Sequence, residues 1–188
     1  MTSTPFRPVG ERTVYQGHLW RVVVDTLEGP DGQRFDRDVV RSPGAVGIVP
    51  VLFDPEGTPS VVLVRQFRAA LGAEIIEIPA GMRDVDGEAP ETTAHRELGE
   101  EVGLAAGRLD LLTVFHNSAG MTDAATHVFL ATGLTRVPAE AHGPEEEAMT
   151  VHQVPLTDLV ADIEAGVITD AKTVIGVLLT QARLMAER

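Results

Sequence analysis

Two apolar runs, residues 45–53 and 60–67, stand on either side of the turn Asp54-Pro55-Glu56-Gly57. Both are of strand length and rich in β-branched residues, so they read as two strong strands joined by that turn. A shorter run, 74–78, is ended by Pro79-Ala80-Gly81, and a polar loop, 82–88, contains Gly87. Residues 90–102 read as a helix. Pro90 suits the first turn, where its missing N–H costs nothing, and Gly103 is placed to end it. Residues 109–115 and 126–130 read as further strands, 138–148 as a long acidic loop and 149–154 as another strand. Thr157 is placed to cap a helix running to residue 165, and Asp170 one running to about residue 187. At the front, 18–27 and 34–40 flank the turn Gly29-Pro30-Asp31-Gly32, so the first 42 residues read as β structure. That ribbon has too little apolar surface to be stable alone and must pack on the rest or on another subunit. Strands dominate the front and middle, and helices enter at one central point and at the end. The pattern predicts an α+β or mixed-sheet sandwich rather than regular βαβ winding.

A chain of 188 residues suggests one compact domain with an appendage. The absence of cysteine excludes disulfides and thiolate metal sites, which fits a cytoplasmic protein. The first 12 residues lack a signal-type apolar core. The longest apolar stretch, 45–53, falls far short of the roughly 20 residues of a spanning helix, so no membrane association is expected. The net charge of −13, from 15 basic and 28 acidic residues, argues against a general nucleic-acid binder. It also means that any phosphate-bearing substrate must be held by local arginines, backbone N–H groups or bound cations.

The helix reads Arg96-Glu97-Leu98-Gly99-Glu100-Glu101-Val102-Gly103-Leu104. Glu97, Glu100 and Glu101 sit at i, i+3 and i+4 on one face, while Ala94, Leu98 and Val102 fall on another that can bury against a sheet. Three like charges on one face repel, and no Lys or Arg stands four residues after Glu97 to offset them. Such a cluster becomes favourable when a hard divalent cation sits among the carboxylates, and Mg²⁺ and Mn²⁺ fit this oxygen donor set. A solvated acidic helix face is the plainer reading of three glutamates taken alone. The order of Gly81, Glu88, Arg96, Glu97, Glu100, Glu101 and Gly103, with Leu98 and Leu104 between and beyond, is far more specific.

Residues 81–104 resemble the Nudix box, G-x5-E-x7-R-E-U-x-E-E-x-G-U, where U is aliphatic. From Glu88 onward the match is complete. The first gap has six residues rather than five, an insertion confined to a loop. Flanking segments resemble the ADP-ribose pyrophosphatase branch of that superfamily: Val39-Val40-Arg41, Gln66-Phe67-Arg68, Glu77-Ile78-Pro79-Ala80-Gly81 and Gly166-Val167-Ile168-Thr169-Asp170. The resemblance implies an α/β/α sandwich with a mixed β-sheet, comprising residues 43–188. Residues 1–42 would form a small antiparallel β-ribbon that exchanges between the subunits of a homodimer.

What the resemblance implies about roles is carried over residue by residue. Glu97, Glu100 and Glu101, with the backbone carbonyl of Ala80, would bind Mg²⁺ or Mn²⁺, and Arg96 would orient the carboxylates. Glu145, in the acidic stretch Glu145-Glu146-Glu147, would be the general base, with Glu146 next in line. Arg41 and Arg68 match arginines that contact substrate; each also reads as an ordinary surface charge or structural ion pair. Trp20 would stack on a nucleobase, against the alternative of plain packing, and Met82 would line the pocket. A proline that often stands about 15 residues beyond the box is replaced by Ala119, before Gly120.

The implied activity is hydrolysis of the pyrophosphate bond of a nucleoside diphosphate sugar, foremost ADP-ribose to AMP and ribose 5-phosphate. Another nucleotide sugar or a dinucleotide is the rival substrate class, and a non-catalytic nucleotide-sugar-binding regulator is the rival outside enzymes. No histidine pair has metal-ligand spacing, and neither G-x-x-x-x-G-K-[ST] nor G-x-S-x-G occurs.

Overall fold

A computed structural model describes residues 4–139 and 148–186. These fall into two compact units. The first comprises residues 4–44 with His116–Ala125, and the second Ala45–Phe115 with the described residues from Thr126 onward.

The first unit is built on a three-stranded antiparallel sheet, β1 (Arg7–Gln16), β2 (Arg21–Glu28) and β3 (Arg34–Arg41), in the order β1-β2-β3. Strand β1 is an addition to the two runs seen in the sequence. Its residues RPVGERTVYQ carry no apolar alternation, and almost all of them are exposed. It is held by its ladder to β2 and by ion pairs such as Arg7–Glu28 at 2.5 Å. The 116–125 segment joins this unit through the backbone. Val40 N donates to Met121 O at 2.8 Å, and Thr122 Oγ1 donates to Val40 O at 2.7 Å.

The second unit is an α/β/α sandwich. Its seven-stranded sheet runs β12-β5-β4-β10-β9, with β6 added to β5 and β7 to β4. These are β4 (Ala45–Phe53), β5 (Pro59–Arg68), β6 (Ala73–Glu77), β7 (Ala80–Met82), β9 (Arg108–His116), β10 (Ala125–Thr132) and β12 (Thr150–Pro155). Strand β4 pairs parallel with β10 and antiparallel with β5 and β7, so the sheet is mixed. Strands β8 (Leu104–Ala105) and β11 (Thr135–Arg136) form a separate two-stranded ladder. Alternation along β4 sends Val46 and Ile48 to one face and Val49 and Val51 to the other. On the first face they meet Ala94, Leu98 and Val102 of α1 (Pro90–Val102). On the second they meet Leu156 and Leu159 of α2 (Leu156–Glu164) and Val177 of α3 (Ala171–Ala186).

Helix α1 has the bounds its sequence signals predict, with Pro90 in the first turn and Gly103 in the left-handed conformation (φ 63°, ψ 38°) at its end. Asp170 caps α3 as expected: its Oδ2 accepts from Thr173 N at 2.9 Å. The expected cap at Thr157 is corrected. Helix α2 begins at Leu156 after Pro155, with no side-chain cap, and Thr157 lies inside it. Burial of Leu156 draws the helix start forward, and Pro155 supplies the extended backbone before it. No helix among the described residues is long and apolar enough to cross a membrane.

Candidate active site

Helix α1 buries Ala94 and Leu98 fully, and this fixes its rotation about its own axis. Glu97 and Glu101 adjoin that stripe on the same side of the helix and are carried with it against the sheet, where both are buried. Buried carboxylates require compensating partners. Glu101 has one in the backbone of β7: Ala80 N donates to its Oε2 at 2.9 Å. Glu97 lies directly over the neighbouring glycine. A Cβ added to Gly81 would stand 1.9 Å from Glu97 Cδ.

Arg96 is the cationic centre of the cluster. Its Nη1 lies 2.9 Å from Glu97 and 2.8 Å from Glu100, and its Nη2 lies 3.6 Å from Glu88 and 3.7 Å from Asp84. Burial by itself would weaken its hold on a proton. The charges of Glu97 and Glu100 and the hydrogen bond to Glu100 outweigh that and raise its pKa well above the ordinary arginine value. Glu88 is held in turn by Thr93, whose Oγ1 donates to it at 2.8 Å. The box residues Glu88, Arg96, Glu97 and Glu100 thus form one ionic group, and Glu101 is tied to the adjacent backbone.

Carboxylate oxygens beside a backbone turn are the donor type that hard divalent cations take. The fit lies in donor chemistry and in the placement of Ala80 and Gly81 against Glu101 and Glu97. Among the described residues, no three His, Asp or Glu side chains already converge as a ligand cage. Glutamate rotamers about a fixed helix backbone are the adjustable part.

Behind β7 stands a second ionic cluster that the sequence did not reveal. Glu77, almost fully buried, accepts from Arg68 Nε at 2.6 Å and Nη2 at 2.7 Å, and pairs with Lys172 of α3. Lys172 also reaches Asp170 at 3.1 Å. Burial pushes the Glu77 carboxyl up, but the Arg68 fork and the Lys172 charge win and hold it below its ordinary range. The side chain of Arg68 is 38% exposed.

Met82 is half-buried on β7, paired in register with Ala45. Arg41 and Trp20 belong to the first unit. Arg41 is bound by three carboxylates: Glu11 at 3.1 Å, Asp25 at 2.7 Å and Asp123 at 3.2 Å. A cleft of about 330 Å³ is lined by Gln16, Leu19, Arg21, Arg41, Ser42 and Asp123. Trp20 is 54% exposed. Glu145, Glu146 and Glu147 lie outside the described residues.

Comparison with known proteins agrees with this arrangement. The family model described as the NUDIX domain matches residues 41–175. The chain is 35% identical to an ADP-ribose pyrophosphatase of Bacillus subtilis (strain 168), covering 97% of this chain and 96% of that one. It is 34% identical to an ADP-ribose pyrophosphatase of Mycobacterium tuberculosis, covering 97% and 86% of the two chains. A GDP-mannose pyrophosphatase of Citrobacter koseri is 35% identical over 62% of this chain and 63% of its own. In fold, the chain superposes on a crystal structure described as an ADP compounds hydrolase with a TM-score of 0.83. That match covers 100% and 98% of the two chains at 22% identity. With the box complete from Glu88 onward and its carboxylates gathered at one edge of an α/β/α sandwich, the chain belongs to the Nudix family, as a hydrolase similar over nearly its whole length to ADP-ribose pyrophosphatases.

Proposed function

We propose that this enzyme hydrolyses the pyrophosphate bond of a nucleoside diphosphate sugar, foremost ADP-ribose, giving AMP and ribose 5-phosphate. The observation that carries the reading is the contact of Glu101 with Ala80 N, beside Glu97 on Gly81, which brings helix carboxylates to the backbone of the box. Full-length similarity to two ADP-ribose pyrophosphatases supports the substrate class.

Glu97, Glu100 and Glu101, with the carbonyl of Ala80, would hold Mg²⁺ or Mn²⁺. Bound there, a divalent cation neutralises the pyrophosphate and lowers the pKa of water. Arg96 keeps Glu97 and Glu100 aligned through its shared Nη1. Glu145 takes the proton of the attacking water as the P–O bond to the leaving phosphate breaks, with Glu146 as the next candidate. By the family resemblance Arg41 and Arg68 would contact the substrate's phosphates, Met82 would line the binding pocket and Trp20 would stack on the base.

Residues 1–42 serve as the dimer-forming ribbon and residues 43–188 as the hydrolase domain. Val14, Tyr15, Leu19 and Trp20 of the ribbon are exposed, and a second subunit would cover them. We place the enzyme in the cytoplasm, in keeping with a chain that has no cysteine.

The test is a substrate panel with Mg²⁺, following release of nucleoside monophosphate. ADP-ribose should be the best substrate, and a panel in which no nucleotide sugar or dinucleotide turns over rejects the enzyme reading. Glu100→Gln should abolish cation-dependent turnover with the fold intact. Glu145→Gln should lower turnover far more than substrate affinity. A second substrate reading, another nucleotide sugar, is favoured by Ala119 in place of the expected proline. It gains ground if GDP-mannose outperforms ADP-ribose in the same panel. Sedimentation should give a dimer.

A further inference from the structure

Residues 77–80 cross from β6 to β7 and are held from three sides. Ile78 is the first residue beyond the β6 ladder, so its buried N–H has lost its strand partner. Thr173 of α3 supplies the replacement: Ile78 N donates to Thr173 Oγ1 at 2.8 Å. That hydroxyl donates in turn to Asp170 Oδ2 at 2.6 Å, and the same oxygen caps the helix by accepting from Thr173 N. Lys172 bridges Asp170 and Glu77, and Arg68 closes the group with its fork on Glu77. Two anions and two cations therefore share one largely enclosed site beside the Ile78 backbone. On the sheet side, Pro79 O accepts from Ile48 N at 2.8 Å. On the α1 side, Ala80 N meets Glu101.

Only Pro79 separates Ile78 from Ala80. Proline fixes its own φ and restricts the backbone of the residue before it. The segment from Ile78 N to Ala80 N is consequently stiff, and a shift of Ile78 is transmitted to Ala80 rather than absorbed between them.

We propose that Thr173 and Asp170, at the start of α3, are positioning residues for the Ala80 backbone and hence for the cation-binding group at the Nudix box. They touch neither substrate nor cation. Their action runs through Ile78 and Pro79 to Ala80 and Glu101. The proposal rests on the reading that Glu97, Glu100, Glu101 and the Ala80 carbonyl hold a divalent cation.

The test uses Mn²⁺ binding to the whole protein, read by the electron paramagnetic resonance of free Mn²⁺. Metal-free thermal unfolding is measured beside it. Thr173→Val keeps the shape and removes the hydroxyl. It should weaken Mn²⁺ binding by about tenfold, within the range for losing an outer partner of a metal ligand. Thr173→Ser, which restores the hydroxyl, should bring binding back to within about twofold of the parent. If Thr173→Val proves too unstable to assay, Asp170→Asn reads the same pathway, because it keeps an acceptor at the cap while removing the charge that meets Lys172. It should likewise weaken binding.

A variant that folds, melts at a lower temperature and binds Mn²⁺ as tightly as the parent would overturn the proposal and leave these residues a purely structural role. Glu100→Gln separates the two levels. If it abolishes binding while the α3 variants do not alter it, the cation reading stands and the positioning role falls. If the parent chain binds no Mn²⁺, both fall.

Discussion

The carboxylate of Glu97 occupies the space that any side chain on Gly81 would need, with Cδ 1.9 Å from the position of an added Cβ. Relief would require moving either the box backbone or Glu97 on α1. Gly81→Ala is therefore expected to displace Glu97 rather than unfold the chain. Turnover should fall by at least about tenfold, the scale of losing an outer support of a metal ligand, while the circular dichroism spectrum is retained. Steady-state rates over a range of Mg²⁺ concentrations check this, and parent-like rates would show that Glu97 moves aside without consequence.

Arg96 spans Glu97 and Glu100 with one nitrogen and faces Glu88 and Asp84 with another. Lysine at this position keeps the charge but not the planar fork. Arg96→Lys should remain folded and need more divalent cation for half-maximal rate, with kcat reduced by about tenfold or more. Titrating Mg²⁺ in both proteins decides it.

Glu77 is held below the ordinary carboxylate value of 4.5: burial pushes it up, but the Arg68 fork and the Lys172 charge outweigh that push. A depressed carboxylate contributes stability that is fully present above its unfolded pKa and is lost as pH falls through the folded one. The parent should therefore lose melting temperature steeply on acidification below about 4.5, and Glu77→Gln should lose less over the same window. At neutral pH the variant should be less stable by about 3–5 kcal/mol, the usual cost of removing one partner of a buried ion pair. Melting curves of both proteins from neutral to acid pH test the sign, and parallel curves would contradict it.

Gly176 lets α3 approach the sheet closely: a Cβ there would stand 2.8 Å from Val49 Cγ2 and 3.1 Å from Val128 Cγ1. Alanine in a helix interior gains about 0.5–1 kcal/mol over glycine, but overpacking a core costs about 1–3 kcal/mol. Both neighbours are valines, stiff at χ1, so the cost prevails. Gly176→Ala should lower the melting temperature by about 2–4 °C per kcal/mol of net loss, and Gly176→Val by more. A rise in melting temperature for the alanine variant would show that α3 can shift outward freely.

The elements that the sequence announced were those with local punctuation. Helix α1 was legible at both ends because Pro90 and Gly103 act on their own backbone, whatever surrounds them. Strand β4 was legible because its apolar run is continuous. Strand β1 was not, because an exposed, charged strand has no apolar alternation and owes its form to pairing with β2. Strand β7, three residues long, carries too little pattern to register. At the site, the helix glutamates were legible from their spacing. The extra residue before Glu88 falls in a loop where Gly87 adopts a positive φ of 77°, and α1 begins at Pro90 all the same. The partners of Arg41 and Arg68 were hidden: Asp123 lies 82 residues from Arg41, and Arg68 stands opposite Ala73 in the β5–β6 register, so its bond to Glu77, which stands opposite Val64, is not a register pair. Charge alone suggested either substrate contact or structural pairing for these arginines. The structure shows the pairs.

The bond between Ile78 N and Thr173 Oγ1 joins residues 95 apart in a chain of 188. During synthesis the Nudix box leaves the ribosome long before α3 exists. Domains generally fold as units while the chain emerges, and contacts of such sequence separation form late. The crossing at residues 77–80 can then be locked only near the end of translation. A nascent or truncated chain that stops short of Asp170 would carry every box residue and still lack the fastening that holds Ala80 against Glu101, so the box would be complete as a sequence well before it is complete as a site.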